Sequence, residues 1–133
     1  MGWSIYCAAK AAVITLTEVL AQDVKHLGIK ATCVSPGSFR TNFLSSGSLA
    51  FAGNPIDDYK EITEARKLYA RRDGQQPGDP EKAAAAIIKV ANEENPPVHL
   101  LLGGDAYNRV LTRLDALQEE IRLVGELTCS TDL

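Results

Sequence analysis

Residues 6–37 read YCAAKAAVITLTEVLAQDVKHLGIKATCVSPG, and this stretch decides the fold because it predicts a long helix followed by a buried strand. Apolar side chains recur at three- and four-residue spacing from about residue 5 to residue 27, which makes one apolar stripe on a helix. The stripe consists of Val13, Leu16, Leu20, Val24 and Leu27. Gly28 is expected to end the helix. Residues 29–35 are largely apolar and predict a strand that stops at Pro36.

The second half of the chain repeats the order of helix and strand. Asp79 and Pro80 fit the N-cap and the first helical position, so they predict the start of another helix. Residues 98–102 predict a second buried strand, and Asp105 is expected to cap a last helix whose tail, from residue 127, is loose. This alternation indicates an α/β fold with a parallel sheet and a right-handed crossover. A parallel sheet normally has more than two strands, so one edge of the first strand is expected to lack a partner.

Residues 38–78 have a different character, with several glycines, many polar residues and isolated large apolar ones. Such a long insertion is typical of a functional lid, and its part from residue 59 to residue 72 is expected to be helical. The aromatic residues of this lid are Phe39, Phe43, Phe51 and Tyr59. They favour a pocket for an apolar substrate, or they pack the lid onto the domain; the sequence leaves both interpretations open.

Composition excludes several classes of function. The net charge of −3 argues against a surface that tracks nucleic-acid phosphates. We expect no apolar run of the roughly 20 residues that cross a bilayer, and no signal peptide, so a cytoplasmic location without membrane binding is expected. The three cysteines and two histidines are too scattered for a disulfide framework or a metal site, and no metal is expected.

Tyr6 and Lys10 stand four residues apart, so their side chains lie on one face of the helix. A free tyrosine has a pKa of about 10, which makes it a poor acid or base at neutral pH. A nearby ammonium favours the phenolate, and a pKa near 7 would ask for roughly 4 kcal/mol. The pair can therefore act as a general acid/base on an alcohol oxygen, although a surface lysine beside a buried aromatic is the simpler alternative.

A second signal follows the first strand, where residues 36–41 read PGSFRT. Ligands bind at the carboxyl ends of parallel strands, and Gly37 lets a ligand come close to the backbone there. The hydroxyl of Thr41 can donate and accept, which suits a carboxamide. An ordinary Pro-Gly turn is the alternative. The separation from Tyr6 fits one long helix and one strand, so both signals are expected at the same end of the sheet.

Together, YCAAKAAV at residues 6–13, VSPG at residues 34–37 and Thr41 resemble the short-chain dehydrogenase/reductase family. The resemblance implies a partial doubly wound, Rossmann-type parallel sheet, made of the last two strands with flanking helices. It implies hydride transfer between an alcohol or carbonyl and NAD or NADP, with Tyr6 as the catalytic acid/base and Lys10 lowering its pKa. Tyr6 and Lys10 would also contact the cofactor, together with the residues of the turn: Pro36, Gly37, Ser38 and Thr41. The family's helix after the tyrosine commonly forms a dimer interface, so a homo-oligomer is expected.

The resemblance also shows what residues 1–133 lack. The sequence contains no G-x-x-x-G-x-G phosphate loop. The family's catalytic serine and asparagine have no counterpart either, because Ser4 stands too close to Tyr6. Residues 1–133 are therefore expected to be the C-terminal part of one dehydrogenase domain, without its dinucleotide-binding half and with residues 38–78 as the substrate lid. We expect this fragment to be inactive by itself.

Two alternatives stay open at the level of sequence. The chain could be a non-catalytic interaction module that associates through its open strand edge or its alanine-rich helix. It could also derive from the sugar-nucleotide epimerases and dehydratases of the extended branch, which share the Tyr-x-x-x-Lys pair. The run from Pro36 to Thr41 argues against this second alternative.

Overall fold

The stretch that opens the chain forms helix α1, Ser4–Asp23, and strand β1, Cys33–Pro36. The computed structural model describes residues 2–45, 47–48 and 56–133. The further elements, in chain order, are helix α2 (Lys60–Ala70), helix α3 (Pro80–Ala91), strand β2 (His99–Leu102), helix α4 (Gly104–Leu123) and helix α5 (Gly125–Cys129). Short 3₁₀ helices lie at Lys25–Leu27, Asn42–Leu44 and Asp57–Tyr59.

The two strands pair in parallel, in a register that runs from Cys33 opposite His99 to Pro36 opposite Leu102. Helix α3 lies between them in the chain and makes the crossover that parallel pairing requires. The predicted fold class is confirmed: an α/β fold with a parallel sheet and flanking helices. Within the described residues the sheet has two strands, so β1 and β2 each have one paired edge.

The element ends follow local chemistry, with some corrections. Helix α3 begins as predicted, because the Asp79 carboxylate accepts hydrogen bonds from the backbone N–H groups of Glu81 and Lys82. Helix α1 ends at Asp23, before a 3₁₀ turn leads to Gly28, whose φ of 74° lies in the left-handed region. Strand β1 is shorter than predicted, since its ladder extends only along the four residues of β2.

The predictions for the last helices were wrong in two places. Asp105 is not the N-cap of α4, because Gly103 takes that position and Asp105 lies in the first turn. The tail from residue 127 is not loose, because α5 continues to Cys129 and the Thr128 hydroxyl donates to the Val124 carbonyl.

Both ends of the segment 38–78 are fastened to each other. A parallel bridge joins Phe39 and Gly78, in which Gly78 donates to the Ser38 carbonyl at 2.9 Å and Arg40 donates to the Gly78 carbonyl at 2.9 Å. The Arg40 guanidinium also donates to the Gln76 carbonyl at 3.2 Å. The two ends of the segment are therefore held at nearly the same point, next to the end of β1.

Little of the apolar surface is covered. The buried apolar residues among those described are Cys33 at the start of β1, Leu102 at the end of β2 and Ala106 in the first turn of α4. The apolar stripe that the sequence predicts lies in the open: Leu16 of α1 is 66% exposed, and Leu27 of the following 3₁₀ helix is 61% exposed. The total accessible surface is 10699 Å², whereas a folded protein of this mass exposes about 6,800 Å². Within the described residues, no further strand pairs with the open edge of β1, and the apolar stripe stays exposed.

Helix α1 corrects the expectation that no stretch is long and apolar enough for a bilayer. By length and composition alone, its 20 residues could cross a membrane, because alanines and large aliphatic residues outweigh Lys10, Glu18 and Asp23. The core helix of a water-soluble protein passes the same test.

Candidate functional site

Tyr6 and Lys10 lie on the same face at the N-terminal end of α1, as the four-residue spacing predicts. The Lys10 ammonium nitrogen is 5.5 Å from the centre of the Tyr6 ring. Tyr6 is 43% exposed, so a reactant can reach its phenol. The first turn of α1 also presents the positive end of the helix dipole, which favours a developing negative charge on the phenol. The arrangement can hold and move a proton at the phenolic oxygen.

Two aromatic rings, Trp3 and Phe43, lie next to Tyr6, and Tyr69 lies next to Trp3. We call these four residues the aromatic cluster: Trp3, Tyr6, Phe43 and Tyr69. The Trp3 ring lies edge-on to the rings of Tyr6 and Tyr69, with 5.8 Å between ring centres in both pairs. Phe43 stands 6.1 Å from Tyr6 on the other side. The cluster joins α1, the end of α2 and the short helix Asn42–Leu44, and it provides apolar surface directly beside the phenol.

The cluster contains one of the four rings that the sequence singled out. Phe43 lies in it, whereas Phe39 packs beside Gly78 and Gly103, and Tyr59 is 56% exposed on its own 3₁₀ helix. Phe51 lies outside the described residues. Trp3 and Tyr69 were not among the residues that the sequence singled out. The three-residue spacing from Trp3 to Tyr6 could have indicated the first, but no local pattern indicates the second, because its contact joins distant parts of the chain.

The run Pro36–Thr41, called the cofactor turn below, leaves the carboxyl end of β1. The Gly37 N–H donates to the Leu102 carbonyl at 2.8 Å, and the Ser38 N–H donates to the Asp105 carboxylate at 2.9 Å. Thr41 is exposed, and its hydroxyl oxygen caps the next 3₁₀ helix by accepting from the Phe43 N–H at 3.4 Å. Because Phe43 contacts Tyr6, the far end of the turn comes close to the phenol.

Asp105 is the functional candidate that sequence reasoning missed at this turn. Burial by itself raises the pKa of its carboxyl group, but hydrogen bonds from Ser38 and from the Ala106 N–H, together with the charge of Arg109, outweigh that effect. The pKa of Asp105 is therefore lowered from its ordinary value, and the group is a carboxylate at neutral pH. The signal in the sequence is its place three residues after the end of β2, which also predicts a helix cap.

The chemistry of these groups fits one end of a nicotinamide dinucleotide. An ammonium at Lys10 and a hydroxyl at Thr41 are donors of the kind that ribose and carboxamide oxygens accept. The phosphate end has no such counterpart, because the sequence holds no Gly-rich loop of the G-x-x-x-G-x-G type. Among residues 2–45, 47–48 and 56–133, no group of three His, Cys, Asp or Glu side chains could hold a metal ion.

Comparison with known proteins gives consistent results. The family described as short chain dehydrogenase matches residues 1–49, which include Tyr6, Lys10 and the cofactor turn. Oxidoreductase BOA17 from Botryotinia fuckeliana is 37% identical over 106 residues, which cover 79% of this chain and 38% of that protein. The 3-ketodihydrosphingosine reductase of Bacteroides thetaiotaomicron is 30% identical over 98 residues, which cover 74% of this chain and 36% of that protein.

A solved structure extends the likeness to the whole chain. The crystal structure of a short-chain dehydrogenase from Streptomyces avermitilis superposes with a TM-score of 0.87 at 39% sequence identity. The match covers 100% of this chain and 48% of that one, so the chain spans less than half the length of these relatives. The cofactor turn, the Tyr-x-x-x-Lys pair and the superposed fold lead to one conclusion: the chain belongs to the short-chain dehydrogenase/reductase family.

Proposed function

We propose that this chain supplies the proton-transfer half of an NAD(P)-dependent oxidoreductase that interconverts an alcohol and a carbonyl. The observation that carries the proposal is the exposed Tyr6 phenol with the Lys10 ammonium 5.5 Å from its ring centre, beside a turn at the carboxyl end of β1. Family membership supports oxidoreductase chemistry and argues against a non-catalytic interaction module.

Tyr6 is the general acid/base in this proposal. In the direction of carbonyl reduction, its O–H donates a proton to the carbonyl oxygen as that oxygen gains negative charge; in alcohol oxidation, the phenolate accepts the proton. Lys10 assists in both directions, because its ammonium lies close to the ring and can stabilise negative charge on the phenolic oxygen during proton transfer. General acid/base catalysis of this kind contributes about 10²- to 10⁴-fold to the rate.

Lys10 and the cofactor turn would hold the nicotinamide end of NAD or NADP. The bound cofactor supplies the hydride acceptor or donor. Lys10 would donate to ribose hydroxyls, and Thr41 would donate its hydroxyl proton to the carboxamide while its oxygen remains the cap of the next helix. Pro36, Gly37 and Ser38 would line the approach to the ring.

The aromatic cluster favours an apolar substrate. The rings of Trp3 and Phe43 flank Tyr6, and Tyr69 extends the cluster beyond Trp3. Phe43 and Tyr69 are 51% and 38% exposed, so they offer apolar surface to a bound molecule. Aromatic rings contribute most where they contact other rings or aliphatic groups, which suits a ketone or secondary alcohol with a hydrophobic substituent. The lid of residues 38–78, to which Phe43 belongs, would cover that substituent. The relative named 3-ketodihydrosphingosine reductase is, by its name, a reductase of a ketone.

Residues 1–133 by themselves are proposed to be inactive. They form one part of a dehydrogenase domain in this view, without a phosphate-binding loop or the family's serine and asparagine. Turnover would then require the rest of such a domain, in a cytoplasmic oligomer with a small-molecule substrate.

A chimera tests the proposal. Residues 1–133 would replace the superposed region of the Streptomyces dehydrogenase, and the purified chimera would be assayed for NADH and NADPH oxidation with a panel of apolar ketones. We expect turnover by the chimera and none by residues 1–133 alone. Tyr6→Phe should lower kcat by about 10²-fold or more, because it removes the phenolic hydroxyl group that transfers the proton and keeps the ring.

The matched control is Tyr107→Phe, which makes the same change at an exposed tyrosine of α4. It should leave kcat unchanged. A chimera that binds nucleotide and reduces no carbonyl, or one in which Tyr6→Phe turns over like the parent, would contradict the proposed function.

A further inference from the structure

We propose that Asp105 is a positioning residue that fixes the shape of the cofactor turn, acting across the sheet from the first turn of α4. The inference rests on the proposed function for the nucleotide, but the positioning itself is a property of the described structure. It assigns a role to a residue that the sequence suggested only as a helix cap.

Hydrogen bonds from the turn to the β2–α4 junction hold the turn in place. The Asp105 carboxylate accepts the Ser38 N–H at 2.9 Å, and the next residue, Ala106, is buried against the end of β2. The turn is also held by its backbone, because the Gly37 N–H donates to the Leu102 carbonyl. Two successive N–H groups of the turn are therefore fixed by the β2–α4 junction, one by its backbone and the other by its carboxylate.

The Asp105 carboxylate packs closely against two glycines. A Cβ atom at Gly37 would collide with the Asp105 carboxylate, so the carboxylate fills the space that any other residue would occupy. Gly103 has a φ of 93°, in the left-handed region, and a Cβ there would approach the same carboxylate to 2.9 Å. The absence of a side chain at Gly37 and Gly103 therefore leaves room for one carboxylate, that of Asp105.

The Asp105 carboxylate also pairs with a positive charge. Arg109, one turn further along α4, places a guanidinium nitrogen 3.5 Å from the carboxylate. The Asp105 side chain is 29% exposed, whereas that of Arg109 is 70% exposed. Arg109 therefore holds the exposed side of the carboxylate. The other side faces the turn and accepts the hydrogen bond from the Ser38 backbone N–H.

The consequence concerns the far end of the turn. If Ser38 is released, the path to Thr41 and Phe43 loses a fixed point, and these two residues are the ones that come near Tyr6. Loss of Asp105 should therefore weaken nucleotide binding more than it lowers the rate of proton transfer.

Hydrogen exchange at single-residue resolution, read by mass spectrometry on the 133-residue chain, tests the positioning. In Asp105→Ala, the Ser38 amide hydrogen should exchange about ten- to a hundredfold faster than in the parent, because a hydrogen bond to a charged acceptor is lost. Asp105→Asn should restore part of the protection, because its amide oxygen can still accept. Asp79→Ala is the matched control, because it removes a carboxylate that caps α3 and should leave Ser38 unchanged.

Nucleotide affinity, measured by NADH and NADPH fluorescence in the chimera, tests the consequence. Asp105→Ala should raise Kd at least fivefold with a smaller change in kcat, and Asp79→Ala should change neither. Equal Ser38 exchange in Asp105→Ala and the parent would overturn the proposal, as would faster exchange with an unchanged Kd. Failure of the parent chimera to bind nucleotide would count against the proposed function, while the exchange data would still decide the positioning.

Discussion

At the scale of single residues, the sequence by itself predicted one neighbour of Tyr6 but not its aromatic neighbours. The pairing with Lys10 follows from helical geometry, so it could be read directly. The contact of Tyr6 with Phe43 and that of Trp3 with Tyr69 join distant parts of the chain, and only the folded chain provides them. Substrate preference is expected to depend on this second group.

Phe43→Ala is predicted to change substrate preference in the chimera. The variant removes the ring that stands 6.1 Å from Tyr6, so a ketone with an aromatic substituent loses apolar contact while acetone loses little. We expect kcat/KM for the aromatic ketone, relative to acetone, to fall about tenfold or more. Steady-state kinetics with both substrates measure this ratio.

Tyr59→Ala provides the contrast, because it removes another ring of the segment 38–78, and this ring is 56% exposed. The ratio should stay within about twofold of the parent value, which is small against the tenfold expected for Phe43→Ala. Equal effects of the two variants would mean that the aromatic cluster does not select the substrate.

At the scale of elements, α4 and β1 are connected through a carboxylate. Asp105 belongs to α4 and Ser38 follows β1, so their hydrogen bond fastens two elements that are far apart in the chain. Because hydrogen bonds and Arg109 lower the pKa of Asp105 in the folded state, the ionised group stabilises the fold at neutral pH.

The sign of this effect predicts acid sensitivity. A group whose pKa is lower in the folded chain contributes stability above its unfolded pKa and loses it as pH falls through the folded value. The difference in free energy of unfolding between the parent and Asp105→Asn should therefore be present at pH 7 and shrink below about pH 4. Urea unfolding followed by circular dichroism at pH 7 and pH 3 measures it. A difference that is constant or grows towards acid pH would show that the carboxylate does not stabilise this junction.

At the scale of the whole molecule, uncovered apolar surface dominates. Large aliphatic side chains on α1 and α4 are exposed, including Leu16, Leu114 and Ile121, which are 66%, 53% and 59% exposed. The accessible surface of 10699 Å² exceeds the value of about 6,800 Å² expected for this mass by more than half. Surfaces of this kind mark places where another polypeptide packs.

The 133-residue chain is therefore predicted to self-associate. Burial of the faces of α1 and α4 stabilises any complex that covers them, at about 25 cal/mol for each Å² of apolar surface. Size-exclusion chromatography with light scattering should show oligomers that grow with concentration, together with strong binding of a hydrophobic dye. The double variant Leu16→Ser, Leu114→Ser should shift the distribution towards the monomer. A monodisperse monomer without dye binding would contradict the prediction.

The sequence by itself determined the local and periodic features. Helical spacing revealed α1 and the Tyr6–Lys10 pair, Asp79 and Pro80 revealed the start of α3, and the two apolar runs revealed a parallel pair of strands. These follow from interactions within a few residues, which a linear pattern records. The open strand edge was also predictable, because two buried strands do not complete a parallel sheet.

Only the tertiary structure decided which distant residues meet. It placed Phe43 and Tyr69 with Trp3 and Tyr6, separated Phe39 and Tyr59 from that cluster, and turned Asp105 from an expected cap into a partner of Ser38. The physical reason is that these contacts depend on the sheet register and on the bridge between Phe39 and Gly78. Both arise from packing across the chain, and no periodicity in the sequence encodes that packing.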